Sequence, residues 1–147
     1  MMIIIVSILT YRDAASLLQK LREEADAILP KVLDDPTAVR EMVVIDSVIR
    51  EALRYNPMTL RALSRDVVQE GGIRTPDGTL LPKGTRVGTA AGCIQRDPEF
   101  LKHADQFEPL RFVDDTSEDE TGGVIRRKQI VTINERFLAF GLGKHAW

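Results

Sequence analysis

The chain has 147 residues, a formal net charge of −2, 44% hydrophobic, 29% charged and 5% aromatic residues, and one cysteine. That is one-domain length, and the composition excludes a disordered, collagen-like or disulfide-stapled chain, since Cys93 has no second cysteine to pair with. The near-neutral charge argues against nucleic acid as a partner, which needs a basic face, and no Cys/His cluster has zinc spacing.

Residues 1–9 (MMIIIVSIL) are nearly all apolar, and the run stops at Thr10-Tyr11-Arg12-Asp13. A bilayer crossing needs about 20 apolar residues, so this run is too short to span one. It also lacks the positive flank and small-residue cleavage site of a secretory signal. Residues 1–13 are therefore expected to form an apolar N-terminal segment, a buried strand or helix end rather than a membrane span. A start inside a longer protein fits that reading.

Ala14, Leu17, Leu18, Leu21, Ala25 and Ile28 recur at helical spacing. They predict a helix capped by Asp13 and ended by Pro30. A second helix is expected to open at Asp35-Pro36, a cap followed by proline at the first helical position. Its apolar positions (Val39, Met42, Val43, Ile45, Val48, Ile49, Ala52 and Leu53) cover more than one stripe, so other structure should wrap it. Tyr55-Asn56-Pro57 ends it. Beyond Pro57 the texture changes to short pieces. Strands are expected at 66–69 and 86–90, and turns at Gly71-Gly72, Pro76-Asp77-Gly78 and Pro82-Lys83-Gly84. A short helix is expected near 98–101. The acidic run 114–120 and the basic Arg126-Arg127-Lys128 read as solvated loop. The long irregular stretch 111–140 needs something to organise it, such as a cofactor or a further part of the protein.

Glu51 and Arg54 stand at i and i+3 on the second helix, where their side chains meet. An exposed pair of this kind contributes only about 0.2–0.5 kcal/mol. On a mostly apolar helix, however, an unpaired charge would be costly, and the guanidinium fork has more donors than one carboxylate satisfies. A further partner is therefore expected. Other candidates carry little. His103 reads as a surface residue and Cys93 as a buried free thiol in a strand-like segment. Ser47 and Ser64 lack a histidine at hydrolase spacing, and Gly141-x-Gly143 lacks the third glycine of a dinucleotide fold.

A series of short motifs carries more. After Glu51 and Arg54 come Arg65, Leu81-Pro82-Lys83-Gly84-Thr85, Arg96-Asp97-Pro98 and Phe107-Glu108-Pro109-Leu110-Arg111-Phe112. Last is Phe137-Leu138-Ala139-Phe140-Gly141-Leu142-Gly143-Lys144-His145-Ala146. In this order and at these intervals the series resembles the C-terminal part of a cytochrome P450 of the fungal secondary-metabolism type, over about 17–146. The implied fold is mainly α with small β-sheet pieces (α+β), an incomplete haem domain spanning 14–147.

The resemblance implies roles position by position. Glu51, Arg54 and Arg111 match a structural ion-pair network that locks a loop against the helix. Leu110 departs from a position that is often acidic. Arg65 and His145 match partners of the haem propionates, and a guanidinium suits a carboxylate. Phe140, Gly141 and Gly143 match the loop beneath the haem, where glycine lets backbone approach the porphyrin. Met58, Thr59, Leu60 and Leu63 match a substrate-facing segment. The implied partners are a small apolar substrate and an electron-donating reductase. Family members of this type are usually in the endoplasmic-reticulum membrane, although no anchor is present in this sequence.

One departure is chemical. Trp147 stands where the family has its axial cysteine, and an indole nitrogen has no available lone pair for iron. The cysteine thiolate donates the electron density that favours O–O cleavage. Nothing before Ala14 matches the family's oxygen-activating acid-Thr pair either. The expectation is thus a haem-dependent monooxygenase by family, with this chain as written inactive. The alternative is a non-catalytic truncated fragment or an incomplete gene model.

Overall fold

The computed structural model describes residues 1–57, 62–114, 116–117, 126–127, 130–132 and 134–143. The first helix, α1 (Met2–Leu9), forms from the apolar run. The hydroxyls of Ser7 and Thr10 donate back to the carbonyls of Ile3 and Val6, each at 2.8 Å. The expected burial of this segment does not hold: Ser7 is its one buried residue, whereas Met2 and Leu9 are 79% and 62% exposed. The cause is one-sided packing. Asn56 Nδ2 donates to Ser7 Oγ at 3.0 Å, and Tyr11 meets Phe107 edge-on at 5.9 Å, while Ile5 and Val6 face away from that contact.

Helix α2 (Ala14–Asp34) runs past Pro30, correcting the expected stop. Proline deletes one donor and crowds the preceding turn, but the turn after it is secured. Asp35 N donates to the Lys31 carbonyl at 2.8 Å, and Lys31 Nζ reaches Glu41 at 2.8 Å. Asp13 sits at the N-cap position without a side-chain cap bond, so it does not act as the expected cap.

Asp35 does cap. Its carboxylate accepts from Thr37 N at 2.9 Å and opens a 3-10 helix, Pro36–Glu41. The single long helix expected from Asp35 onward is broken at Met42, and α3 (Val43–Tyr55) starts afresh. Its start is capped from another element: Glu24 of α2 accepts from Val44 N at 2.8 Å and Ile45 N at 2.7 Å. This long-range cap makes the break possible, because it satisfies donors that a new helix leaves open. As expected, α3 is wrapped, with Ser47, Val48 and residues 50–54 all buried.

Among the described residues, three two-stranded antiparallel sheets follow. β1 (Ala62–Asp66) pairs with β4 (Arg86–Thr89) in the register Arg65↔Val87 and Asp66↔Arg86. The strand expected at 66–69 thus lies earlier, and Val67 closes the pair by accepting from Gly84 N at 2.7 Å. A hairpin, β2 (Ile73–Arg74) with β3 (Leu80–Leu81), sits between them where only turns are expected. Gly72 is required there: its φ is +73°, and an added Cβ would lie 2.4 Å from the Leu81 carbonyl oxygen.

A short helix, α4 (Ala91–Ile94), holds Cys93, which is exposed rather than buried and helical rather than strand-like. The helix expected near 98–101 is a single turn, in which Phe100 and Leu101 both donate to the Asp97 carbonyl. The acidic and basic runs are also not wholly loop. β5 (Thr116–Ser117) pairs with β6 (Arg126–Arg127), Thr116 opposite Arg127, so backbone pairing joins their ends. The fold is mainly helical with small β pieces, and its core gathers Val48, Ala52, Leu53, Ala91, Ala104 and Leu138.

Candidate functional site

The site grows from one face of α3. Glu51 and Arg54, one turn apart, are both buried. Arg54 Nε donates to Glu51 Oε2 at 2.7 Å and its Nη2 donates to Oε1 at 2.8 Å. This fork leaves three guanidinium hydrogens, and backbone carbonyls take them. Arg54 Nη1 donates to Gln95 O at 2.8 Å and Ala104 O at 2.7 Å, and Nη2 donates to Gln106 O at 2.9 Å. All five donors of the guanidinium are used.

Arg111 arrives from the far side. Its Nε donates to Glu51 Oε1 at 3.2 Å, and its other nitrogens donate to the carbonyls of Lys102 at 2.5 Å, His103 at 2.9 Å and Gln106 at 3.3 Å. Glu108 adds its backbone N–H to Glu51 Oε1 at 2.9 Å, and its carboxylate lies 3.2 Å from Arg111 Nη2. The structure therefore brings Glu51, Arg54 and Arg111 together and threads residues 95–111 around them. Such a charged cluster can stay buried only because its donors and acceptors are matched.

Several residues that complete the arrangement were not legible as such. Ser47 Oγ donates to Pro109 O at 2.8 Å and accepts from Phe112 N at 3.0 Å, pinning both sides of Arg111. Asp46 Oδ1 accepts from Ile130 N at 2.8 Å. Buried Gln95 accepts from Leu138 N at 2.8 Å. Arg50 lies under the Phe112 ring, 4.0 Å from its centroid. The imidazole side of His103 is exposed, as expected, yet its carbonyl belongs to the cluster. No sequence pattern marks a carbonyl, and a serine or glutamine beside an apolar stripe signals only helix polarity.

The positions matched to haem contacts fall in two places. Arg65 is exposed on β1, with its guanidinium donating to the neighbouring Ser64 carbonyl at 2.8 Å, which leaves most of its donors for a carboxylate. Phe140 and Gly141 are half-buried and Gly143 is exposed. Gly141 and Gly143 have φ of +90° and +76°, and the space beside Gly143 is open. These residues fit a haem edge: a guanidinium for a propionate, and backbone that only glycine adopts easily beside a free face. Leu63 is half-buried with φ +55°, at the irregularity between Ala62 and Arg65. Met58, Thr59, Leu60, His145 and Trp147 lie outside the described residues. A cleft of about 840 Å³ between the 137–142 loop and α3 is lined by Phe100, Phe112, Phe137 and Leu142, and Arg65 does not line it. Among the described residues, no group of three His, Cys, Asp or Glu is placed to hold a metal, and no helix is long and apolar enough to cross a membrane.

Residues 3–146 match the cytochrome P450 family model. The chain belongs to the cytochrome P450 family. Among P450 relatives, it is 34% identical over 144 residues to cytochrome P450 monooxygenase lnaC of Aspergillus flavus, covering 97% of this chain and 27% of that protein. It is 38% identical over 145 residues to cytochrome P450 monooxygenase fumoB of Cordyceps fumosorosea, covering 97% of this chain and 26% of that one. The chain thus spans about a quarter of the length of these P450 relatives. The fold matches too: a zebra fish cytochrome P450 solved with abiraterone superposes with a TM-score of 0.65 at 21% identity, covering 98% of this chain and 30% of that P450.

Proposed function

We propose that this chain is a haem-cradling C-terminal part built on the plan of the P450 monooxygenases, which by family oxidise a small apolar metabolite with electrons from a reductase. The observation that carries this reading is the buried Glu51–Arg54–Arg111 cluster, which anchors residues 95–111 on the helix they surround. In this reading Arg65 and His145 hold the haem propionates. Phe140, Gly141 and Gly143 lie against the ring, and Met58, Thr59, Leu60 and Leu63 face substrate. Bound haem supplies the one-electron and O₂ chemistry. The chain's own residues neutralise the carboxylates, present backbone without a Cβ, and exclude water with apolar side chains.

The fit fails at one position. Trp147 stands at the family's axial-ligand position, and its indole N–H donates without offering iron a lone pair. Cys93, an exposed free thiol on α4, is not read as its replacement. This chain as written is accordingly proposed to be non-catalytic.

Haem titration of the full chain, followed by reduction and carbon monoxide addition, tests both parts. The unmodified chain should give no thiolate-type Soret band and no NADPH-supported oxidation. Trp147→Cys should give the thiolate-type band without restoring turnover, and Arg65→Ala should weaken haem retention in that background. A thiolate-type band from the unmodified chain would overturn the non-catalytic reading. Absence of any haem binding by Trp147→Cys would overturn the cradle.

A further inference from the structure

We propose that Gln95 is a positioning residue for the loop that carries Gly141 and Gly143. The inference rests on the reading of that loop as the haem-facing segment. It goes further by naming the group that sets where the loop sits.

Three observations converge on this side chain. First, Gln95 is 2% exposed and every polar group it has is directed. Its Oε1 accepts from Leu138 N at 2.8 Å, its Nε2 points at Leu53 O at 3.5 Å, and its own carbonyl accepts from Arg54 Nη1 at 2.8 Å. Second, the amide orientation has one solution. Exchanging Oε1 and Nε2 would set a donor against the Leu138 N–H and an acceptor against the Leu53 carbonyl. Third, Leu138 relays the contact onward, because its carbonyl accepts from Gly141 N at 3.1 Å and closes the turn in which Gly141 takes φ +90°. A chain of hydrogen bonds therefore runs from Arg54 through Gln95 and Leu138 to Gly141.

The alternative role for a buried glutamine is to fill space in the core. The geometry argues against it as the main role, since an apolar side chain of similar volume would fill the same space and leave the Leu138 N–H buried and unpaired. α4 ends at Ile94, and its first and second residues, Ala91 and Gly92, are buried. Gln95 therefore hangs from a short, well-seated helix, a rigid point from which to hold a loop.

Amide hydrogen exchange on the full chain without haem tests the inference. In Gln95→Leu, exchange at the Leu138 and Gly141 amides should accelerate about tenfold. The Glu108 amide, held by Glu51 Oε1 at 2.9 Å, should be unchanged. Gln95→Glu, measured at acid pH where its carboxyl is protonated, keeps an acceptor facing Leu138 and a donor facing the Leu53 carbonyl, and should restore the protection of the Leu138 amide. Equal acceleration at all three amides would reduce Gln95 to a general core residue and overturn the proposal. So would unchanged exchange at Leu138, or identical behaviour of the Leu and Glu variants. If Gln95→Leu does not fold, Gln95→Asn, which withdraws the amide by one methylene, carries the same expectations. Because no haem is present, failure here leaves the haem reading standing, and a failed haem titration leaves the exchange result standing.

Discussion

Glu51 and Arg111 stand 60 residues apart in the chain, yet Arg111 Nε donates to Glu51 Oε1 at 3.2 Å where the carboxylate has no exposed surface. One oxygen of that carboxylate also takes Arg54 Nη2 and the Glu108 N–H. Removing it leaves the Arg54 guanidinium and a backbone donor without their anion, and Arg111 with the Glu108 carboxylate alone. Glu51→Ala should therefore destabilise the chain by about 3–5 kcal/mol, the usual cost of breaking a buried pair on one side. Urea denaturation measures this. A loss below about 1 kcal/mol, the range of exposed pairs, would show that solvent reaches the cluster.

Glu24 caps α3 from α2, with its two carboxylate oxygens on successive amides at 2.8 and 2.7 Å. Glu24→Ala should cost about 1 kcal/mol, the typical worth of a helix cap. Amide exchange should rise at Val44 and Ile45 before it rises elsewhere in α3. A variant with unchanged exchange at those two amides would mean that the cap does not form in solution.

Three aspartates link stability to acid. Asp66 is held below the ordinary 3.8 by the hydrogen bond from Arg86, Asp77 by the Thr75 hydroxyl, and Asp35 by the Thr37 hydroxyl. A lowered native value means the contribution is complete above 3.8 and is lost as pH falls through each native value. The stabilisation is small because all three are exposed. Carboxyl NMR titration should place each midpoint below 3.8. In Arg86→Ala the Asp66 midpoint should return toward that value while Asp35 and Asp77 stay put.

The exposed face of α1 gives a surface prediction. Ile5 is 49% exposed, and the neighbouring Met2 and Leu9 are more so. Ile5→Lys should change stability by no more than about 0.5 kcal/mol. It should also lower binding of a hydrophobic dye and reduce self-association, since apolar patches drive both. A large destabilisation would place Ile5 in the core.

The sequence by itself determined α2 and α3 up to their ends, the pairing of Glu51 with Arg54, and the family. Helical spacing and i, i+3 neighbours are local, and motif order survives without coordinates. Only the tertiary structure decided where elements stop and what completes the cluster. Pro30 is tolerated because Asp35 and Glu41 secure the turn beyond it. The helix breaks at Met42 because a carboxylate from α2 can cap the new start. Cys93 is exposed because it falls on the outer side of a short helix whose Ala91 and Gly92 are the buried residues. The remaining acceptors of Arg54 and Arg111 are backbone carbonyls between Gln95 and Gln106. Every residue carries a carbonyl, so its identity says nothing about which one turns inward; that is set by the path of the chain around two buried cations.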